Sequence, residues 1–365
     1  MAILTVNAGS SSVKLRLLDD DDAILAEDEL AATQARVDPD ALNSALSGAL
    51  SGADAVAHRI VHGGERYRDA VLIDGRVRRS LDELTDLAPL HQPKSLAALD
   101  AVSAGLPGVP AVACFDTSFH ATLPPAASTY ALPARWRERW GLRRFGFHGL
   151  SHAWVARRSA ELLAFGQPTG RLVSCHLGAG ASLCAIADGR SIDTTMGFTP
   201  LDGLVMATRS GSVDPGLLLW LLEREAVSEG EMAQALEHES GLAGLAGDAD
   251  LRTVLDRAGA GDEAAALAVD VYVHRLCAGI AAMAASLGGL DTLVFTGGVG
   301  EHAPVIRARA AATLGFLGIE IDAAANDRAR PDAEITRAGA AVRTLILRAR
   351  EDLEMARQTR VTLRR

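Results

Sequence analysis

One stretch of this sequence has a weak echo later in the chain. Asn7-Ala-Gly-Ser-Ser-Ser-Val-Lys-Leu-Arg-Leu-Leu-Asp19 can be laid on His176-Leu-Gly-Ala-Gly-Ala-Ser-Leu-Cys-Ala-Ile-Ala-Asp188 without a gap. Each copy follows a short apolar run, turns through small residues and continues into a second apolar run ending in Asp. That pattern predicts a strand–tight turn–strand hairpin with bare backbone N–H groups at the bend. A weaker echo sets Ala113-Cys-Phe-Asp-Thr-Ser118 beside Leu293-Val-Phe-Thr-Gly-Gly298. The chain has 365 residues, enough for two domains of roughly 100–200 residues each. A duplicated α/β domain with a cleft between the copies is therefore the expected architecture.

The remaining pattern agrees with that class. Short apolar runs at Ile3–Val6, Val56–Val61, Ala111–Phe115, Leu172–Cys175, Leu293–Thr296 and Val342–Leu347 read as buried strands, most of them stopping at Asn, Gly, Asp or His. Helical periodicity marks Ser95–Ser103, His152–Phe165 and Asp262–Leu287. The last opens on a candidate N-cap, Asp262, and closes on Gly288-Gly289.

Composition removes whole classes of function. The chain is 48% hydrophobic and 22% charged, with 36 basic against 46 acidic residues and a net charge of −10. Nucleic acid is thereby excluded as the main partner, because phosphate-backbone binding needs a net basic surface. A small anion remains accessible to a local group of arginines. The longest uncharged apolar stretch, Leu276–Leu290, is shorter than the ~20 residues of a spanning helix, and the N-terminal residues show no export pattern. Cys114, Cys175, Cys184 and Cys277 have no CxxC or metal-type spacing and sit in apolar runs, as reduced, buried thiols of a cytoplasmic protein do. No membrane partner is expected.

The chemistry-bearing residues lie in separate motifs. Gly9-Ser-Ser-Ser12 with Lys14 offers hydroxyls, amides and one cation to phosphate oxygens, although an ordinary polar turn has the same composition. Neither GxxxxGK[ST] nor GxGxxG occurs. His58-Arg-Ile-Val-His-Gly-Gly-Glu65 puts Arg59 and His62 near a strand end, Ala88-Pro-Leu-His-Gln-Pro93 holds His91 in a rigid loop, and Phe115-Asp-Thr-Ser-Phe-His120 places Asp116 just after a strand. Phe145-Gly-Phe-His-Gly-Leu-Ser-His152 gives His148, and Thr208-Arg-Ser-Gly211 gives Arg209. No GxSxG elbow supports a hydrolase, and no HExxH or His/Cys cluster supports zinc. Two arginines, several histidines, a strand-end Asp and two phosphate-type hairpins together fit phosphoryl transfer, which needs charge neutralisation and alignment more than covalent chemistry.

These motifs, with HLGAGAS, DTTMGFTPLDGL, DPG and FTGGVGE in the same order from Asn7 to about Met355, resemble the acetate kinase family of short-chain carboxylate kinases. The resemblance implies duplicated actin-like (ribonuclease H-like) domains around a nucleotide cleft, a homodimer, and reversible Mg²⁺-dependent (or Mn²⁺-dependent) transfer between ATP and acetate. It also implies roles. Arg59 and Arg209 would bind the carboxylate and the transferring group, with Asp116 as the essential carboxylate and His148 on the equatorial oxygens. Asn7, Ser10, Ser12 and Lys14 resemble the first phosphate motif, and His176, Gly178 and Gly180 the second. Gly297, Gly298 and Gly300 would form a loop against adenosine, and Asp250 and Arg252 resemble the family's nucleotide-contacting stretch. Asn7 and Glu351 would serve the metal. Val61, Leu90, His91, Phe147 and Pro200 would surround the substrate, the apolar ones walling a small methyl pocket. The chain departs from the family pattern at Ala179 and His302, where Asn is usual, and is short over Asp19–Asp54, which reads as a trimmed surface elaboration.

The domain limits expected are 1–119 plus 352–365 for the first and 120–351 for the second, the latter with the nucleotide site and dimer surface. Two other readings stay open on the sequence: a propionate or butyrate kinase of the same mechanism, and an ATP-binding regulator without turnover.

Overall fold

The computed structural model describes residues 1–9, 12–33, 36–89, 91–163 and 170–364, so the expected phosphate-loop Ser10 and pocket-wall Leu90 lie outside the described residues. The chain forms two compact units. The first contains Met1–Ala121, Phe147–Trp154 and Arg350–Arg365, and the second Thr122–Gly146 and Val155–Ala349. The segment Phe147–Trp154 and residue Glu351, inside the span expected for the second domain, thus fall in the first unit.

The first unit is built on seven strands: β1 (Ile3–Ala8), β2 (Ser12–Leu18), β3 (Ile24–Thr33), β4 (Arg36–Val37), β5 (Ala55–Ile60), β6 (Val71–Leu72) and β7 (Ala111–Phe115), in the order β4-β3-β2-β1-β5-β7-β6. The second has six: β8 (Arg171–Leu177), β9 (Ala181–Ala187), β10 (Arg190–Thr194), β11 (Thr292–Thr296), β12 (Ala333–Glu334) and β13 (Arg343–Ile346), in the order β10-β9-β8-β11-β13-β12. Leaving out the two-residue β4, the orders coincide strand for strand. In each, an antiparallel hairpin leads a parallel triplet, and a short antiparallel strand closes the edge.

The duplication is therefore real, with two amendments to its reading in sequence. Ala8 pairs with Val13 in the first hairpin, whereas Leu177 pairs with Ala181 in the second. Four residues lie between the first pair and three between the second, so the ungapped overlay is one residue out along the second arm. In a strand of period two that slip exchanges the faces. The echo between the runs ending at Phe115 and Phe295 also joins strands that are not counterparts. By sheet order β11 answers to β5, and β7 answers to β13.

Local chemistry explains the main helices. Gln92–Gly105 has Pro93 in its first turn, where a missing N–H costs nothing. Glu263–Ser286 is capped by Asp262, whose carboxylate accepts the Ala265 N–H at 3.1 Å. This helix is long and apolar enough, by length and composition alone, to cross a membrane. Here its face of Ala265, Ala268, Val269, Tyr272, Leu276 and Ile280 is buried in the second unit, and Asp270 on it binds Arg309 at 2.6 Å. The stretch Asp19–Asp54 is more than an elaboration. It supplies β3 and the helix Pro39–Ser47, whose Leu42 and Leu46, with Leu50, join the core of Leu4, Val6, Leu15 and Val56. All four cysteines are buried thiols outside any disulfide.

β5 carries a polar residue where its neighbours are aliphatic. His58 shares the face of Val56 and Ile60, which pack with Leu96, Ala98, Leu99 and Val102 of the helix Gln92–Gly105. It is 1% exposed and neither ring nitrogen has a hydrogen-bond partner. Burial pushes it down to about 4, and burial does the same to His62, also to about 4. The unfolded chain takes up these protons near pH 6.5 and the folded one only near pH 4. Stability is therefore whole above about pH 6.5 and falls as the pH drops toward 4, by up to about 3 kcal/mol per histidine. Urea titrations at a series of pH values should show this decline. His58→Leu should remove about half of it, and an unchanged slope would exclude His58 as a source.

Candidate active site

In the first unit the ends of three parallel strands and the start of a helix converge on one guanidinium. Arg59, next to last in β5, donates from Nε to Asp116 Oδ1 and Oδ2 at 3.0 and 3.1 Å, and from Nη2 to Oδ2 at 2.6 Å. Its Nη1 donates to Asn7 Oδ1, on β1, at 3.0 Å. The Asn7 amide in turn donates to Glu351 Oε2 at 3.1 Å, and that carboxylate lies 4.0 Å from Arg59 Nη1. Asp116 follows β7 directly, and Glu351 begins the helix Glu351–Leu363, which packs on β1, β5 and β7. The side chain of Asp116 is 2% exposed and that of Arg59 18%. Burial works against charge on Arg59, but the carboxylates of Asp116 and Glu351 outweigh it and hold the guanidinium above its ordinary value. Burial pushes the Asp116 carboxyl up, while Arg59 pulls it back.

The same strand ends fix the segment bearing His148. Gly149 N–H donates to the Asp116 carbonyl at 2.8 Å, and a Cβ on Gly149 would collide with that oxygen. The Phe147 carbonyl lies 3.0 Å from His120 Nε2. Between these anchors His148 adopts φ +56°, a conformation that costs a non-glycine residue energy and recurs at functional sites. Phe147 is buried with its ring edge-on to His62 at 5.5 Å, and Val61 is buried beside His62 in sequence. Gln92 holds this turn: its Oε1 accepts the His62 N–H at 3.2 Å and its Nε2 donates to the His62 carbonyl at 3.3 Å. Thr117 Oγ1 accepts the Gly63 N–H at 3.0 Å. His91 precedes Gln92 as the N-cap residue of the helix Gln92–Gly105. Lys14 stands on β2 opposite Asn7, is 58% exposed and lies 3.9 Å from Glu29, which also accepts from Ser12 Oγ at 2.6 Å.

In the second unit His176 occupies on β8 the place that Asn7 has on β1. The turn after it is closed by Gly178 N–H on the Gly180 carbonyl at 2.9 Å. Arg209 contacts Glu237 Oε2 through Nε at 3.2 Å and donates from Nη1 to the Pro200 carbonyl at 3.3 Å. Arg209 and Pro200, nine residues apart in neighbouring motifs, are thus brought together. Burial lowers the pKa of Arg209, and Glu237 opposes the change. Gly297, Gly298 and Gly300 do not form the expected loop. They make up the first turns of the helix Gly297–His302, which follows β11 at once. Gly297, at φ +78° with the Leu177 backbone against its Cβ position, has to be glycine, and the Phe295 backbone crowds the same position on Gly300, whereas Gly298 has open space around it. Asp250 caps the helix Leu251–Gly259 through the Arg252 N–H at 3.0 Å and binds the Arg252 guanidinium at 2.8 Å on the surface.

The match to known proteins is extensive. Residues 26–357 fit the family model described as the acetokinase family. The chain belongs to that family. It is 44% identical to an acetate kinase of Leifsonia xyli subsp. xyli over 98% of both chains, and 49% identical to one of Nostoc punctiforme over 83% of this chain and 75% of the other. Its fold superposes on the crystal structure of Porphyromonas gingivalis acetate kinase with a TM-score of 0.90, at 34% identity over 99% of each chain. A propionate kinase from Francisella tularensis fits as well, with a TM-score of 0.90 at 32% identity over 98% of each. The two matching sheets are thus the duplicated halves of an acetokinase.

Among the described residues no group of three or more His, Cys, Asp or Glu could cage a metal ion. Asn7, Asp116 and Glu351 offer hard oxygen donors within one hydrogen-bonded cluster. Mg²⁺ needs no cage, because it is commonly held by one or two carboxylates together with water and substrate phosphates. The donor set of this acetokinase fits such an ion.

Sequence reading passed over Glu237, Gln92, Thr117 and His120. Gln92 and His120 stood inside quoted motifs, but Glu237 had no local signal at all. Because either partner alone would be a buried unpaired charge, Arg59→Ala and Asp116→Ala should each lower unfolding free energy by about 3–5 kcal/mol. The joint change Arg59→Met with Asp116→Leu should cost less than the sum. Denaturant titration measures all three, and single variants as stable as the parent would contradict the account.

Proposed function

We propose that this chain is an acetate kinase, transferring the γ-phosphoryl group of ATP to acetate, reversibly and in line, to give acetyl phosphate and ADP. The carrying observation is the Arg59 cluster, an arginine kept charged inside a network of oxygen donors, in a chain of this family. Acetate is already ionised at neutral pH, so no strong base is required. The obstacle is repulsion between two anions. Arg59 and Arg209 are each assigned to offset it, since arginine stays cationic and binds a planar oxyanion with two N–H groups. His148 would donate to the equatorial oxygens of the moving group, and Asp116 would keep Arg59 aligned. Asn7 and Glu351, with Asp116, would hold Mg²⁺, for which Mn²⁺ could substitute; when bound, that ion neutralises phosphate charge. Ser12, Lys14, His176, Gly178 and Gly180 are assigned to phosphate contacts, and Asp250, Arg252, Gly297, Gly298 and Gly300 to the nucleotide.

Val61 and Phe147, both buried in the first unit, support the small acid acetate over propionate, although a methylene is worth only ~1–3 kcal/mol. The likeness to a propionate kinase keeps that acid as the second reading. The four buried reduced thiols favour a cytoplasmic setting. Incubation with ATP, Mg²⁺ and hydroxylamine should yield acyl hydroxamate fastest from acetate among formate, acetate, propionate and butyrate. A maximum at propionate would change the substrate and keep the mechanism, and no product from any acid would refute the proposal. Arg209→Ala should lose on the order of 10³-fold in turnover, and near-parental turnover in a folded variant would remove Arg209 from the site.

A homodimer is part of the proposal. The helix Pro215–Glu223 has no buried residue, and Leu217, Leu219 and Trp220 on it are 49–58% exposed. An apolar surface of this kind marks an interaction site. Light scattering should give a dimer, and Leu219→Glu with Trp220→Glu should give monomer; a monomeric parent chain would overturn this part.

A further inference from the structure

We propose that Glu237 is a positioning residue for Arg209, setting which edge of its guanidinium meets the anionic substrate. This rests on the reading of Arg209 as a substrate-binding arginine. The Glu237 carboxylate is 14% exposed and takes the Nε edge at 3.2 Å, while the Pro200 carbonyl takes Nη1 at 3.3 Å and Met206 Sδ lies 3.7 Å from the same nitrogen. A guanidinium is a planar fork of five donors. Fixing it from one edge and one corner restricts rotation about the last side-chain bonds, so the orientation exists before substrate arrives.

The backbone around Glu237 is built to the same end. Glu237 lies in a single π-helical turn, Ala235–Glu239, that follows the helix Glu229–Gln234. Such turns are rare and concentrate at functional sites. This one is stitched to the loop carrying Arg209. Ser210 N–H donates to the Leu236 carbonyl at 3.2 Å, Thr208 Oγ1 to the Glu237 carbonyl at 2.9 Å, and Ser240 N–H to the Thr208 carbonyl at 2.9 Å. Leu242 N–H then reaches the Met206 carbonyl at 3.0 Å. The wide turn thus brings the Glu237 carbonyl to the loop and its carboxylate to Arg209 together. Glu237 takes no part in the bond-making chemistry; it acts through Arg209 alone.

The test separates this role from folding and from the role of Arg209. Glu237→Ala should lower kcat/KM for acetate about 100-fold, the order expected when a binding group is misplaced by about 1 Å, with KM for ATP close to the parent. Glu237→Gln keeps an oxygen acceptor for Nε and should restore most of the loss. An alanine variant with parental kcat/KM for acetate would overturn the proposal. So would a glutamine variant as impaired as alanine, since charge and not position would then be at work. If Glu237→Ala does not fold, the glutamine variant decides alone: near-parental acetate kinetics support positioning, and a 100-fold loss overturns it. Arg209→Ala is run in parallel. Full turnover there would reject the reading of Arg209 itself, whereas a dead Arg209→Ala beside a parental Glu237→Ala would reject only Glu237.

Discussion

The Arg59–Asp116 ion pair ties together parts of the chain that are far apart in sequence. Arg59 lies on strand β5 and Asp116 just after β7, the side contact Asn7 on β1, and the fourth member Glu351 on the last helix. A charge this far from water is tolerable only when paired and hydrogen-bonded, so the register of three strands and the seating of the C-terminal helix are coupled to one side chain. The same network leaves oxygen donors and a permanent cation at one spot, which is what an anion-transfer site requires.

The two halves repeat a topology and differ in chemistry. Asn7 and His176 stand at the same place on equivalent strands, β1 and β8. On the neighbouring strand the first half carries Arg59, whereas the second has Thr296 paired in register with His176. The first half became the more charged, holding carboxylates against an arginine. In the second, the hairpin turn and the helix after β11 are built largely of glycine. A duplicated frame tolerates such divergence because side chains at strand ends are free of the sheet's packing.

Much of this was legible beforehand, and for identifiable reasons. Ala111–Phe115 is a strand to the residue, and the helix capped by Asp262 differs from expectation at one end by a single residue, because long apolar periodicity and caps are local signals. The edge strands β6 and β12 were invisible. Two residues pairing at an edge carry no pattern, and only the neighbouring strand makes them strands. The Asp19–Asp54 segment was misjudged because its acidic, alanine-rich composition hid the three leucines that reach the core. The echo between the Phe115 and Phe295 runs failed because any buried strand ending at a site looks alike.

The sequence by itself determined the family, the α/β class, the doubling and the residue types able to bind anions. All of these follow from local order: motifs, spacing and polarity along the chain. Tertiary structure alone decided which of those residues share a partner. It set Glu237 against Arg209, gathered Asn7, Glu351 and Asp116 around Arg59, and held His148 in a left-handed conformation between Asp116 and His120. Electrostatic and hydrogen-bond energies depend on separation in space, and residues 7 and 351 acquire a separation of a few ångströms only when the sheet and the last helix have closed on each other.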